Sequence, residues 1–451
     1  MITKRIGILF TLLLLMLQGF AQTKPDSVFR FSLKQSIQYT LAHQPTIVNA
    51  KYEEGKADAK VKEITGIGLP QINGSINLLD YVQIPTTLIP GAFVNQPGTF
   101  IPVKFGTQYN LTAQIDGSQI LFDGTYIVGL QAAKIYRTVS TQGFDLANVN
   151  ATSQVTKAYY LSLVSNWKLQ MVKADANRLK TLMDNTQKLY ETGFAERVDY
   201  QRIKVSYNNL VTLQTNMGRL LTMSYKLLKF QMGMPINDSI MLTDSLQTIP
   251  INPDVEADTS FKATNRIEVQ MAQTNIFGAH ELLKKDRFAY LPNLILFGSV
   301  NRVNQGASTD FFSGAQPWYP TALVGLKMNI PIFDGLQKNY RIQQDKYGVL
   351  EGELQFNTLK QSISLEISNS ITNLENALAD LKNQKENMEL AQSVEHDTKI
   401  KYEAGTGSNI EVVDAETALI EAETNYYNAL YNALIAKVDY ETAKGTLLKN
   451  K

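Results

Sequence analysis

The chain has 451 residues, with 43 Lys and Arg balanced against 42 Asp and Glu. That balance excludes nucleic acid as a partner, because nucleic-acid binding needs a marked basic excess. It contains no cysteine, and its three histidines (His43, His280 and His396) are widely separated. Disulfides, thiolate catalysis, thiolate metal sites and a histidine metal cage are thereby excluded. No nucleophile elbow, phosphate loop or histidine-rich motif occurs, so the sequence predicts no enzyme, no catalytic residues, no metal site and no cofactor.

Lys4 and Arg5 precede an apolar run from Ile6 to Leu17, and Gly19-Phe20-Ala21 supplies small residues for cleavage after Ala21. Residues 1–21 therefore read as a signal peptide. The run is shorter than the ~20 residues of a spanning helix, and no cysteine follows to be lipidated. No later run approaches eighteen apolar residues, so the exported chain either stays soluble or inserts as strands.

Ser32-Leu33-Lys34-Gln35 fits a capping box that opens a short helix, interrupted at Gln44-Pro45. A second helix from Pro45 stops near Ile64, before Gly66, Gly68 and Pro70. Alternation follows. Between Gln108 and Ser118 the even positions are all polar, and the odd ones are Tyr109, Leu111, Ala113, Ile115 and Gly117. Ala322, Val324, Leu326, Met328 and Ile330 repeat the alternation later in the chain. A period of two over about ten residues marks a strand with one apolar face, long enough for a tilted bilayer span. The strands expected are Gln71–Gln83, Thr107–Leu121, Asn293–Val303 and Tyr319–Phe333.

Long segments, Ile84–Gly106 and Asn304–Pro320, separate the members of each pair. They carry Phe93, Phe100, Phe105, Trp318 and Tyr319, which suit interfacial aromatic girdles. Pro85, Pro90, Pro97 and Pro102 argue against any regular element in the first segment.

The remainder reads as helix with heptad spacing. Val155, Ser162, Leu169, Ala176, Met183 and Tyr190 are seven apart, and Ile367, Leu374, Leu381 and Met388 keep the interval. Ala415, Ala422, Ala429, Ala436 and Ala443 form an all-alanine ladder, where small side chains let backbones approach closely. An ordinary coiled coil is the plain alternative for such ladders. The helix expected over Tyr126–Thr192 would be about 100 Å long at 1.5 Å per residue, and its return helix runs from Ala195 to Met232.

The landmarks occur twice. His43–Ile72 aligns with Asn265–Leu294, Phe122-Asp123-Gly124 recurs as Phe333-Asp334-Gly335, and Tyr190-Glu191-Thr192-Gly193 as Tyr402-Glu403-Ala404-Gly405. The reading is a duplication: residues 22–232 as the first repeat, 233–260 as a turn-rich linker, and 261–451 as the second repeat.

The order of export signal, helix, Leu69-Pro70-Gln71, strand pair, Phe-Asp-Gly, long helix and glycine turn resembles the TolC-like outer membrane efflux proteins, the outer membrane factors. The resemblance implies a mainly α chain with a transmembrane β-barrel. Three copies would each give four strands to one twelve-stranded barrel, and their helices would continue as a long α-barrel across the periplasm. It also implies location in a Gram-negative outer membrane, in contact with its lipid. The implied role is the exit duct of a tripartite efflux or type I secretion system. Partners would be a periplasmic adaptor and an inner-membrane transporter of RND or ABC type. By the same resemblance Gly193, Phe194, Val198, Gly405, Thr406 and Ile410 form adaptor-docking tips. Asp199 and Tyr402 match a link that holds the inner end shut, and Glu411 and Asp414 match an acidic constriction. Gly407 departs from the pattern, because an arginine supplies a further link there. The alternative is an adaptor-like periplasmic coiled-coil protein without channel activity, which would show one hairpin and compact β-domains.

Overall fold

The computed structural model describes residues 28–246, 266–314 and 316–448, so the expected signal peptide and residues 247–260 of the expected linker lie outside it. A short strand β1 (Phe29–Phe31) leads into helices α1 (Leu33–His43) and α2 (Pro45–Ile67). Strands β2 (Gln71–Asp80), β3 (Thr86–Pro90), β4 (Phe100–Lys104) and β5 (Tyr109–Phe122) follow, then helices α3 (Gly124–Glu191) and α4 (Arg197–Met232). After strand β6 (Ile240–Leu242) the series repeats as α5 (Ile267–Phe288), β7 (Asn293–Gly306), β8 (Tyr319–Asn329), α6 (Gln337–Glu403) and α7 (Asn409–Ala443). The capping box is formed: Gln35 N donates to Ser32 Oγ and Ser32 N to Gln35 Oε1. Asp123 opens α3 by accepting from the backbone N–H groups of Thr125 and Tyr126.

Two compact units cut across the two repeats. One contains residues 52–142 and 270–358, including all four long strands in a sheet of order β2-β5-β7-β8. Every neighbouring pair is antiparallel. The β5–β7 pair, with Ile115 opposite Val300, joins the first repeat to the second.

Residues directly opposite in a ladder share one face, so the register sorts the sheet into a mostly apolar face, which also carries Arg302 and Asn304, and a mostly polar one, which also carries Leu79, Phe297, Val303 and Leu323. Ile72, Ile76, Leu78, Leu111, Ala113, Ile115, Leu296, Val300, Val324 and Leu326 lie on one face. Asn73, Ser75, Asn77, Thr112, Gln114, Asp116, Asn301 and Thr321 lie on the other. Much of the apolar face is bare, with Ile72 74% exposed, Ile76 77% and Val324 78%, while Leu111 is buried. Strands β2 and β8 are the two edges, and neither pairs further among the described residues.

The other unit contains residues 143–269 and 359–448 with the first helix. Its core gathers Phe31, Ile37, Val155, Tyr159, Leu163, Leu228, Met232, Leu434 and Val438. Tyr159 O–H donates to Asp244 Oδ2 at 2.9 Å, and the same oxygen accepts Leu33 N at 2.8 Å. One carboxylate thus ties a long helix to the N-terminus of α1, where the helix dipole favours negative charge. Gly233 closes α4 at φ +72°, and a Cβ there would lie 2.7 Å from the His43 carbonyl oxygen. Only glycine fits that close approach.

Two expectations are corrected. Pro90 and Pro102 do not prevent regular structure, because β3 and β4 pair as a ribbon with Pro90 opposite Phe100 and Leu88 opposite Pro102. A two-stranded ribbon has two outer edges, so a residue without an N–H can take an outward position. The linker is not all turns either, since β6 pairs in parallel with β1, Phe29 opposite Ile240.

The alanine ladder is an inward seam: Ala415, Ala429, Ala436 and Ala443 are buried and Ala422 is half-buried. Ala429, 2% exposed, sits inside the seam. Ala429→Leu is expected to cost roughly 1–3 kcal/mol by overpacking, seen as a lower Tm. Ala422→Leu should cost less.

Candidate functional site

Within the helical unit, α3 and α6 end in the same motif. Gly193 N donates to the Tyr190 carbonyl (3.1 Å) and Phe194 N to the Leu189 carbonyl (2.8 Å). Gly405 N donates to the Tyr402 carbonyl (3.0 Å) and Thr406 N to the Lys401 carbonyl (2.9 Å). Each is a 5→2 and 6→1 pair of bonds closed by a left-handed glycine, at φ +82° and +73°. The repeated Tyr-Glu-x-Gly is therefore a repeated helix stop. Ser408 Oγ then accepts from Glu411 N to start α7, whereas Glu196 precedes α4 without a side-chain cap.

The two turns enclose a cleft of about 760 Å³ lined by Phe194, Val198, Asp199, Tyr402, Gly405 and Ile410, among others. Most of the residues expected at the tips are thus brought together. Phe194 is 83% exposed, and Val198 and Ile410 are also exposed. That is an uncovered apolar rim around a polar cleft. Asp199 and Tyr402 share the cleft, but Asp199 pairs with Arg202 on its own helix at 3.7 Å. At Gly407 a Cβ would approach Tyr402 N at 3.0 Å and Lys401 Cβ at 3.1 Å. The glycine lets the turn fold tightly onto the end of α6, and an arginine would have to displace that contact. Glu411 and Asp414 both lie on the exposed side of α7, with Val412, Val413, Ala415 and Glu416 buried behind them. Three residues apart, they share one face.

Residues 263–446 match the family model described as outer membrane efflux protein. The outer membrane protein TolC of Escherichia coli is 24% identical over 64% of this chain and 60% of its own length. TolC of Vibrio cholerae is 21% identical over 75% of this chain and 77% of its own length. The crystal structure of the outer membrane protein VceC from Vibrio cholerae superposes with a TM-score of 0.70. That match covers 92% of this chain and 96% of the other at 13% identity. In sequence this chain is similar to TolC, and in fold to VceC. It spans under two thirds of the first of these relatives and most of the second.

Further along the same helices lies a group that the sequence did not announce. Arg178 Nη2 lies 2.9 Å from Asp175 Oδ1 and 3.4 Å from Glu416 Oε2. Asp175 is 1% exposed, Glu416 5% and Glu423 8%. Glu416 and Glu423 each follow a ladder alanine, and acids at heptad spacing on a helix read as a solvated stripe. Neighbours on α3 and α6 bury them instead. The only sequence signal was their unbroken seven-residue spacing beside the seam.

Gly405→Val should strain the turn, because a β-branched residue resists positive φ. The variant should melt at a lower Tm than the unaltered protein. An unchanged Tm would show that the turn does not depend on its left-handed glycine.

Proposed function

We propose that the protein is the outer membrane exit duct of a tripartite efflux or type I secretion system. The observation that carries this reading is the sheet, largely bare on a mostly apolar face, mostly polar on the other, and open at both edges among the described residues. Open edges are untenable in hydrocarbon, because unpaired backbone groups have no water to bond. Four strands cannot close by themselves, so copies must supply the rest. Three copies make a barrel of twelve antiparallel strands, apolar outside and polar inside, the usual arrangement of a water-filled outer membrane barrel. Among the described residues no helix is long and apolar enough to cross a membrane, so the strands are the elements suited to doing so.

The turn cleft supports the other half of the reading. Its exposed rim of Phe194, Val198 and Ile410 beside Gly193, Gly405 and Thr406 is a surface for the tips of an adaptor hairpin. An inner-membrane transporter would then select the cargo. Asp199 and Tyr402 would close the inner end by bonding between helix pairs, and Glu411 and Asp414 would ring the pore. Three chains bring six carboxylates toward one axis, which attracts cations. The adaptor-like alternative has no use for a two-faced sheet of four long strands.

Planar-bilayer recording tests this. Glu411→Ala with Asp414→Ala should reduce cation preference and weaken block by multivalent cations; unchanged selectivity and block would remove both residues from the pore. Tyr402→Phe removes one hydroxyl from a charge-assisted bond worth about 1.5–3 kcal/mol. Conductance should rise, and an unaltered value would show that other contacts hold the end closed.

A further inference from the structure

The buried group around Arg178 is over-supplied with acid. Helix α3 contributes Asp175 and Arg178, α6 contributes Glu395 and Gln392, and α7 contributes Glu416, Glu423 and Tyr427. From α4 the nearby side chains are Ile203, Ser206, Tyr207, Asn209 and Leu210, none of them charged. Full ionisation would set four carboxylates against one guanidinium. Asp175 Oδ2, Glu423 Oε2, Glu395 Oε1 and Arg178 Nε are buried without a hydrogen-bond partner, which ionised groups of this kind do not tolerate. A metal ion is not the remedy. Among the described residues no group of three or more acids and histidines converges as a metal requires, and Arg178 bridges Asp175 and Glu416 at the middle of the group.

We propose that the carboxyls of Asp175, Glu416 and Glu423, gathered around Arg178, form a proton-binding clasp that holds α3, α6 and α7 side by side when protonated and loosens their seam when it ionises. Burial, then the neighbouring Glu423 carboxyl, pushes Asp175 up to about 7, with Arg178 acting in the opposite sense. Burial also pushes Glu416 up to about 7 against the pull of Arg178, and it raises Glu423. An acid raised in the folded state contributes its full stability below its unfolded pKa, near 4. That contribution falls as the pH climbs and is lost once it passes the folded value near 7. The helix seam is therefore tightest in mild acid and weakest in mild alkali.

The position gives this consequence. Glu416 lies about 10 Å into α7, and Arg178 about 20 Å before the end of α3, at 1.5 Å per residue. Both helices run directly to the turns at Gly405 and Gly193. A seam that loosens two to four turns away frees the segments that carry the tips. This consequence rests on the exit-duct reading, whereas the clasp itself does not.

The experiment compares the full-length protein with the double variant Asp175→Asn/Glu423→Gln and the single variant Glu423→Gln, between about pH 5 and about pH 8.5. In planar bilayers the unaltered channel should open at least tenfold more readily across that range, each pKa unit by which loosening lowers one of the acids being worth tenfold. The midpoint should lie near 7, and the double variant, which keeps only Glu416 of the three raised acids, should respond less steeply. The same pH profile in all three proteins would overturn the clasp. If no protein conducts at any pH, the exit-duct reading fails, and thermal melting in detergent decides the clasp alone. The Tm should fall with rising pH in the unaltered protein and fall less in the double variant; equal slopes would overturn it.

Discussion

The backbone N–H and C=O groups along the outer edges of β2 and β8 have no partner in the sheet, and the apolar face they flank has no cover. In water such a sheet would aggregate through its edges. In a bilayer it would be intolerable unless the edges met something. The other features are consequences of satisfying that requirement. Strands of 10 to 14 residues give the height of a bilayer span. Antiparallel order throughout lets β8 of one copy join β2 of another without breaking the pattern. Duplication supplies an even strand number from a unit that carries only two.

The helices follow a related logic. A seam of alanine at seven-residue intervals brings backbones close over many turns, where larger residues would space them apart. The buried rows Val155, Ser162, Leu169 and Ala176 on α3 and Ala429 and Ala436 on α7 are small or medium in size. The two glycine-closed turns then end α3 and α6 with the same hydrogen bonds, so their rims are presented in matching fashion. Phe194 at one turn and Thr406 at the other break the equivalence, making one rim more apolar than its counterpart.

Much of this was legible because it depends on local chemistry. The Ser32–Gln35 box and the glycine stops each act within five residues, and alternation over ten residues reports a strand face directly. What was not legible depends on distant partners. Pro90 and Pro102 look prohibitive until they lie in a ribbon whose outer edges need no N–H. Ile240–Leu242 becomes a strand only because Phe29–Phe31, over two hundred residues earlier, offers an edge. Glu416 and Glu423 look solvated until α3 and α6 cover them, and a lone sequence does not say which helix face is covered. The link between Asp199 and Tyr402 shows the same limit: sequence order brings both to one cleft, while Arg202 takes the carboxylate within the chain.

The absence of native cysteine makes the edge requirement directly measurable. Cysteines placed singly on the polar face of β2, at Asn73, Ser75 or Asn77, would each be combined with Thr321→Cys on β8 and oxidised in outer membranes. Sampling alternate positions allows for the stagger of a closing barrel. The account predicts that at least one pair yields disulfides between chains, with the ladder ending at three linked copies. Chains that remain unlinked at every position, while the cysteines stay reactive, would contradict it.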